Sequence, residues 1–254
     1  MATSSNPAFN ERIFAGYDQV YGGSRADVMT VQGTVSKTFL LLGILSATAL
    51  WSWYAAEQGQ LQPVIVPAAM IGGFVLAMVI CFKPNLAAWL APVYAAFEGV
   101  FLGALSYWIE TNVRGAAAHP GIALQAVSMT MGTMFVMLFL YTSRIIKVTD
   151  RLRTGIIAAT GALCLVYLIS FALTMFGVQV PFLRNSSALG IGISVAVVGL
   201  AAFNLLLDFD FIEKASEHGA PKSMEWYGAF GLMVTLVWLY LEILRLLRQL
   251  QDRR

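Results

Sequence analysis

Long apolar stretches, separated by short polar segments, run along the chain from about residue 36 to the carboxyl-terminal end. Seven such windows contain at most one charged residue each, and each is as long as the ~17 to 20 residues that a helix needs to cross a bilayer. Residues 191–207 do not alternate, which argues against a membrane β-barrel. We therefore predict an all-α integral membrane protein with seven transmembrane helices. The windows lie between residues 37 and 57, 57 and 83, 83 and 110, 114 and 144, 153 and 184, 184 and 208, and 226 and 244.

The polar and apolar parts of the chain predict three regions. Residues 1–35 are polar and lack the basic start and apolar core of a signal peptide, so we expect a cytoplasmic amino-terminal tail. Residues 36–248 are predicted to form the membrane domain, and residues 249–254 a basic carboxyl-terminal tail. Proline and glycine lie between the windows, so the loops are short and neighbouring helices are expected to be antiparallel.

Lysine and arginine in the connecting segments predict the orientation, because they concentrate on the cytoplasmic side of a membrane. With the amino terminus inside, the outer loops hold only Arg114 and Arg184. A last segment that crosses fully would leave the basic carboxyl tail outside, against this bias, whereas a re-entrant segment would return it inside. We favour the full crossing. The inner segments hold Arg12, Arg25, Lys37, Lys83, Arg144, Lys147, Arg151, Arg153, Lys214 and Lys222.

The amino-acid composition argues against several further classes of protein. Only 12% of the residues are charged and the mean hydropathy is +0.72, so the chain could not coat a water-facing surface. A net charge of +2 without a basic stripe offers no docking surface for nucleic acid. Cys81 and Cys164 lie in apolar runs, and His119 and His218 lie in different loops, so we predict neither a cofactor nor a metalloenzyme.

Four carboxylates lie within or at the end of the predicted spans: Glu98, Asp208, Asp210 and Glu242. A charged side chain at membrane depth costs roughly 2.5 to 3.5 kcal/mol, so each of these groups needs an explanation. Burial and neighbouring charges change the proton affinity of a carboxyl group. The four residues are therefore candidates for proton-coupled gating and for cation binding.

Structural explanations stand beside this hypothesis for span six. Asp208, Asp210 and Glu213 could mark the solvated end of the helix and face Lys214. Asp208 fits this interpretation less well, because Asn204, one helical turn earlier, extends a polar stripe on the same face.

Spans three and seven have structural alternatives as well. Glu242 could pair with Arg245 three residues later, and Glu98 could be protonated and hydrogen-bonded to a neighbouring helix. Gly99 and Gly103, spaced four apart, indicate a close approach of another helix on their face.

The sequence gives little support for an enzymatic function. No histidine and no lysine lies inside a span as a base for Ser106, Ser170 or Ser194, which argues against a serine intramembrane protease. An aspartyl protease would need a second aspartate in the last span, where Glu242 stands. We therefore do not predict an enzyme.

Four segments resemble the Bax-inhibitor family of membrane proteins, in its bacterial branch. Together they extend the resemblance from about Met29 over nearly the whole remaining chain. In chain order they are MTVQGTVSKT at residues 29–38, FEGVFLG at 97–103, LDFDFIE at 207–213 and LYLEILR at 239–245.

The resemblance implies six helices around a central carboxyl-terminal helix, in the bacterial inner membrane. It also implies a pH-sensitive calcium leak that is gated by two acids on the last two helices. Asp208 and Glu242 hold the matching positions, although the family usually has Asp at the second. A shared proton would hold one state and repulsion after deprotonation would favour another. The same carboxylates would offer calcium transient oxygen ligands, so the implied partners are calcium ions, protons and the lipid bilayer.

A second hypothesis is a non-conducting regulator that binds another membrane protein, such as a protease or a translocon, through its tail and loops. This hypothesis predicts that neutralising Asp208 or Glu242 leaves partner binding intact.

Overall fold

The computed structural model describes residues 28–112, 121–176 and 187–252. Within these ranges the chain forms seven α-helices and a short 3-10 turn, Pro84–Leu86, and it contains no strand beyond one isolated bridge. The helices are α1 (Val31–Glu57), α2 (Ile65–Phe82), α3 (Ala87–Asn112), α4 (Ile122–Thr142), α5 (Asp150–Met175), α6 (Ala188–Glu217) and α7 (Met224–Gln251). Several residues that the orientation and metal arguments used lie outside the described residues: Arg12, Arg25, Arg114, His119, Arg184, Arg253 and Arg254.

Each of the seven helices is long and apolar enough to cross a membrane, which confirms the predicted all-α architecture with seven spans. The apolar span of α7 is 56% buried, whereas that of α5 is only 6% buried. The last helix is thus the most enclosed of the seven. It also runs unbroken for 28 residues, about 42 Å at 1.5 Å per residue, which is long enough for a full crossing.

The ends of the helices differ from the apolar windows where polar side chains cap or extend them. Helix α1 begins at Val31, before the predicted start of the membrane domain, because the Thr30 hydroxyl accepts a hydrogen bond from Gly33 N at 2.9 Å and caps the helix. Helix α6 continues past Asp208 to Glu217, so the acids of this segment lie on a regular helix and not in a loop.

The described chain divides into two compact units. The first contains α1, α2 and most of α3, with the end of α6 and the first part of α7 from residue 208 to residue 234. The second contains α4, α5, residues 188–207 of α6 and α7 from residue 235 onward.

Glycines bring α3 close to α1 in the first unit, as the sequence predicts. A Cβ atom on Gly99 would collide with Thr48 and with the backbone of Leu45, and one on Gly103 would lie 2.8 Å from the carbonyl carbon of Ala49. The Ser52 hydroxyl donates a 2.7 Å hydrogen bond to the carbonyl oxygen of Val100 on the same face.

Polar side chains join helices in the second unit. The Ser194 hydroxyl on α6 donates to Oε1 of Gln249 on α7 at 2.7 Å, and both residues are buried. The Asn204 amide on α6 donates to the Thr160 hydroxyl on α5 at 2.9 Å. Such bonds compensate the desolvation of polar groups at membrane depth.

Candidate functional site

Glu242 is the most enclosed of the four predicted acids. It lies in the second unit on α7, with only 2% of its surface exposed. Three donors converge on its carboxylate. The Tyr167 hydroxyl on α5 donates to Oε1 at 3.0 Å, Trp238 Nε1 donates to Oε1 at 3.3 Å, and Arg245 Nη1 donates to Oε2 at 3.0 Å.

Arg245 and Tyr167 are also bonded to each other, so the three side chains form a closed network. Arg245 Nη1 donates to the Tyr167 hydroxyl oxygen at 2.6 Å, and the guanidinium carbon lies 5.2 Å from the centre of the tyrosine ring. The pairing of Glu242 with Arg245 that the sequence suggested is therefore present, with Tyr167 from a second helix as a third member. A proton on Glu242 would remove the negative charge with which Arg245 pairs.

Asp208 and Asp210 lie two residues apart on α6, in the first unit. Asp210 is 6% exposed and accepts a 2.9 Å hydrogen bond from Lys214, whose side chain is 46% exposed. The expected pairing with Lys214 is thus present, although Asp210 itself is buried and not solvated. Asp208 is half-buried.

Glu98 lies on α3 in the first unit and is half-buried. The hydroxyl of Tyr94, one turn earlier on the same helix, forms a hydrogen bond with its carboxyl group. A Cβ atom on Gly73 would lie 3.2 Å from Glu98 Oε1, so the carboxyl group rests against the backbone of α2.

The structure places Glu98, Asp208 and Asp210 in the first unit and Glu242 in the second. No group of three or more histidine, cysteine, aspartate or glutamate side chains that could hold a metal ion occurs in the described part of the chain.

A fifth acid, Glu225, was not predicted from the sequence; it lies in the first turn of α7 and is 1% exposed. The backbone N–H and the hydroxyl of Thr30 both donate to Glu225 Oε1 at 3.0 Å, and Lys37 donates to Oε2. A Cβ atom on Gly33 would collide with this carboxylate, so only glycine leaves room for it.

A signal for this cluster was present in the sequence. Thr30, Gly33 and Lys37 all belong to the segment of residues 29–38 that carries part of the family resemblance. Lys37 occupies the second turn of an apolar helix, where a cation needs a partner. Nothing in the spacing identified that partner, because 188 residues separate Lys37 from Glu225.

Comparison with known proteins identifies one family. The model of the family described as Bax inhibitor 1 like matches residues 6–252, which is nearly the whole chain. No curated protein and no solved structure matches the chain.

Proposed function

Because the chain belongs to the Bax inhibitor 1 like family of membrane proteins, a family associated with ion transport, we propose that it is a pH-sensitive calcium leak channel or ion exchanger. Asp208 and Glu242 are the titrating residues of this proposal, and Glu98 and Asp210 are further cation sites along the path. The bacterial inner membrane is its proposed location.

The observation that carries the proposal is the network around Glu242. A carboxylate that is 2% exposed, inside a span, is held by a phenol, an indole and a guanidinium group. Proton binding removes the negative charge and releases Arg245 from its ion pair. A change of one proton therefore changes the bonds between α5 and α7, which is what a pH-controlled gate requires.

Asp208 contributes to the proposal as a second acid within a membrane-spanning helix. Asp208 lies on α6 and Glu242 on α7, so the proposal has one titrating acid on each of the last two helices. Calcium prefers oxygen ligands, and single carboxylates along a path bind it weakly enough for the ion to leave again.

Calcium flux into dye-loaded proteoliposomes tests the proposal, between about pH 5 and about pH 8, where perturbed carboxyl groups titrate. We expect a pH-dependent flux in the parent chain and a flux that is lost or insensitive to pH in Asp208→Asn and in Glu242→Gln. Folded protein without flux above empty liposomes would contradict the proposal and favour the non-conducting regulator.

The proposed orientation places the amino terminus in the cytoplasm and the carboxyl tail outside after a full crossing by α7. A single cysteine near the end of the chain, with Cys81 and Cys164 replaced, tests this arrangement in intact cells. Labelling by a membrane-impermeant thiol reagent is the expected result. Labelling only after lysis would favour a re-entrant last segment.

A further inference from the structure

The segment that precedes α1 lies against the turn that precedes α7. Met29 N donates a 2.7 Å hydrogen bond to the carbonyl oxygen of Ala220, and the Ser216 hydroxyl donates to the carbonyl oxygen of Met29 at 3.2 Å. Val28 and Pro221 form an antiparallel bridge. We call residues 28–30 the strap.

The strap also has an apolar anchor. The Met29 side chain is 1% exposed, and a Cβ atom on Gly228 of α7 would lie 3.5 Å from its terminal methyl carbon. The side chain therefore lies beside α7 at Gly228.

Several polar contacts of this region are made by one carboxylate, that of Glu225. Glu225 lies at the start of α7, where a negative charge is favoured by the helix dipole, and it also accepts the backbone N–H of Thr30 at the start of α1. Lys37 approaches from the second turn of α1 and lies 5.5 Å from the centre of the Trp226 ring. The start of α1 and the Lys37 side chain thus both contact the buried charge of Glu225 at the start of α7.

A buried ion pair is an unusual way to join two helices if stability alone is needed. Apolar residues of similar volume hold such a contact as well or better, whereas removal of one charge from the pair is strongly destabilising. The contact therefore depends on both charges being present. That property suits a junction that must release. Apart from the contacts of Glu225, the strap is held by two hydrogen bonds at Met29, by the bridge between Val28 and Pro221, and by the Met29 side chain.

We propose that Glu225, Lys37 and Thr30 form a latch that holds the strap against the turn before α7, and that loss of the ion pair releases the strap and frees the start of α7. This regulatory device is separate from the titrating residues Asp208 and Glu242. Its test does not depend on ion flux.

Disulfide formation between cysteines at positions 28 and 221 reports how often the strap is docked, because these two residues face each other in the bridge. The reporter is Val28→Cys with Pro221→Cys in the full chain, with Cys81 and Cys164 replaced. We expect rapid crosslinking in this parent. Loss of one charge of a buried pair is strongly destabilising, so Glu225→Gln and Lys37→Met should each slow the reaction by at least about tenfold.

Three further variants make the test specific. Glu217→Gln, an exposed charge at the end of α6, is the matched control and should crosslink at the parent rate. Thr30→Val keeps both charges, so it should give a smaller decrease. The exchanged pair, Lys37→Glu with Glu225→Lys, should stay slow, because an ammonium group at position 225 cannot accept the Thr30 N–H.

Thermal unfolding in detergent identifies the variants that remain folded and enter the comparison. Crosslinking at the parent rate in folded Glu225→Gln and Lys37→Met would overturn the latch, since Met29 and the backbone contacts would then hold the strap alone. Crosslinking at the parent rate in the exchanged pair would overturn the latch as well. The ion pair alone, without the bond from the Thr30 N–H, would then explain the contact.

Discussion

The Tyr167 hydroxyl on α5 donates a 3.0 Å hydrogen bond to the Glu242 carboxylate on α7, although 75 residues separate them in sequence. The same oxygen accepts a hydrogen bond from Arg245 at 2.6 Å. Tyr167 thus contacts both charges of the ion pair and connects it to a helix that is otherwise largely exposed. A change in the charge of Glu242 therefore alters a bond between two helices.

Removing the Tyr167 hydroxyl should change the pH response of the proposed flux. In Tyr167→Phe the ionised Glu242 loses a donor, and a hydrogen bond to a charged group is worth about 1.5 to 3 kcal/mol. The bond that joins α5 to the ion pair on α7 is then lost, so we expect the midpoint of the flux profile to differ from that of the parent. The proteoliposome assay measures this midpoint.

Tyr54→Phe is the matched control, because Tyr54 is exposed on α1. It should leave the midpoint unchanged. An unchanged midpoint in Tyr167→Phe would contradict the assigned role of the hydroxyl.

The glycine contact between α1 and α3 should be intolerant of even one methyl group. In Gly103→Ala the new Cβ atom would collide with the backbone of Ala49, which cannot move without moving the helix. We expect the free energy of unfolding to fall by about 1 to 3 kcal/mol, as at other overpacked sites. Thermal unfolding in detergent measures the loss.

Gly161→Ala on α5 provides the comparison, because no atom lies within 4 Å of its added Cβ. Alanine is the better helix former, so this variant should be as stable as the parent or more stable. Equal effects of the two substitutions would show that Gly103 does not mark a close helix contact.

The destabilising effects of removing the two charges of the latch should not be additive. A single substitution, Lys37→Met or Glu225→Gln, leaves the partner charge buried and should cost about 3 kcal/mol. The double variant has no unpaired charge, so it should be destabilised by clearly less than the sum of the two. Unfolding midpoints of the four proteins complete the cycle, and strict additivity would show that the two groups do not interact.

The sequence predicted the spans well because hydrophobic length is a local property. Seven apolar windows became seven helices, and the spacing of Gly99 and Gly103 indicated the face that meets α1. Arg245 could also be identified as a partner of Glu242, since three residues on a helix bring two side chains together.

The sequence did not predict contacts between distant segments. Tyr167 looked like any aromatic residue of an apolar span, and Glu225 stood beside a loop where an acid needs no partner. Their roles depend on which helices pack together, and no local periodicity carries that information. The helices also extend beyond the apolar windows, at the Thr30 cap of α1 and past Asp208 on α6.

The pH dependence of calcium flux should be compared first in Glu242→Gln and in Glu57→Gln, which neutralises an exposed acid at the end of α1. We expect Glu57→Gln to keep the parent profile, whereas Glu242→Gln should have the same flux at both ends of the pH range or none. A Glu242→Gln protein that retains the parent profile would contradict the assignment of Glu242 as a titrating residue of the gate.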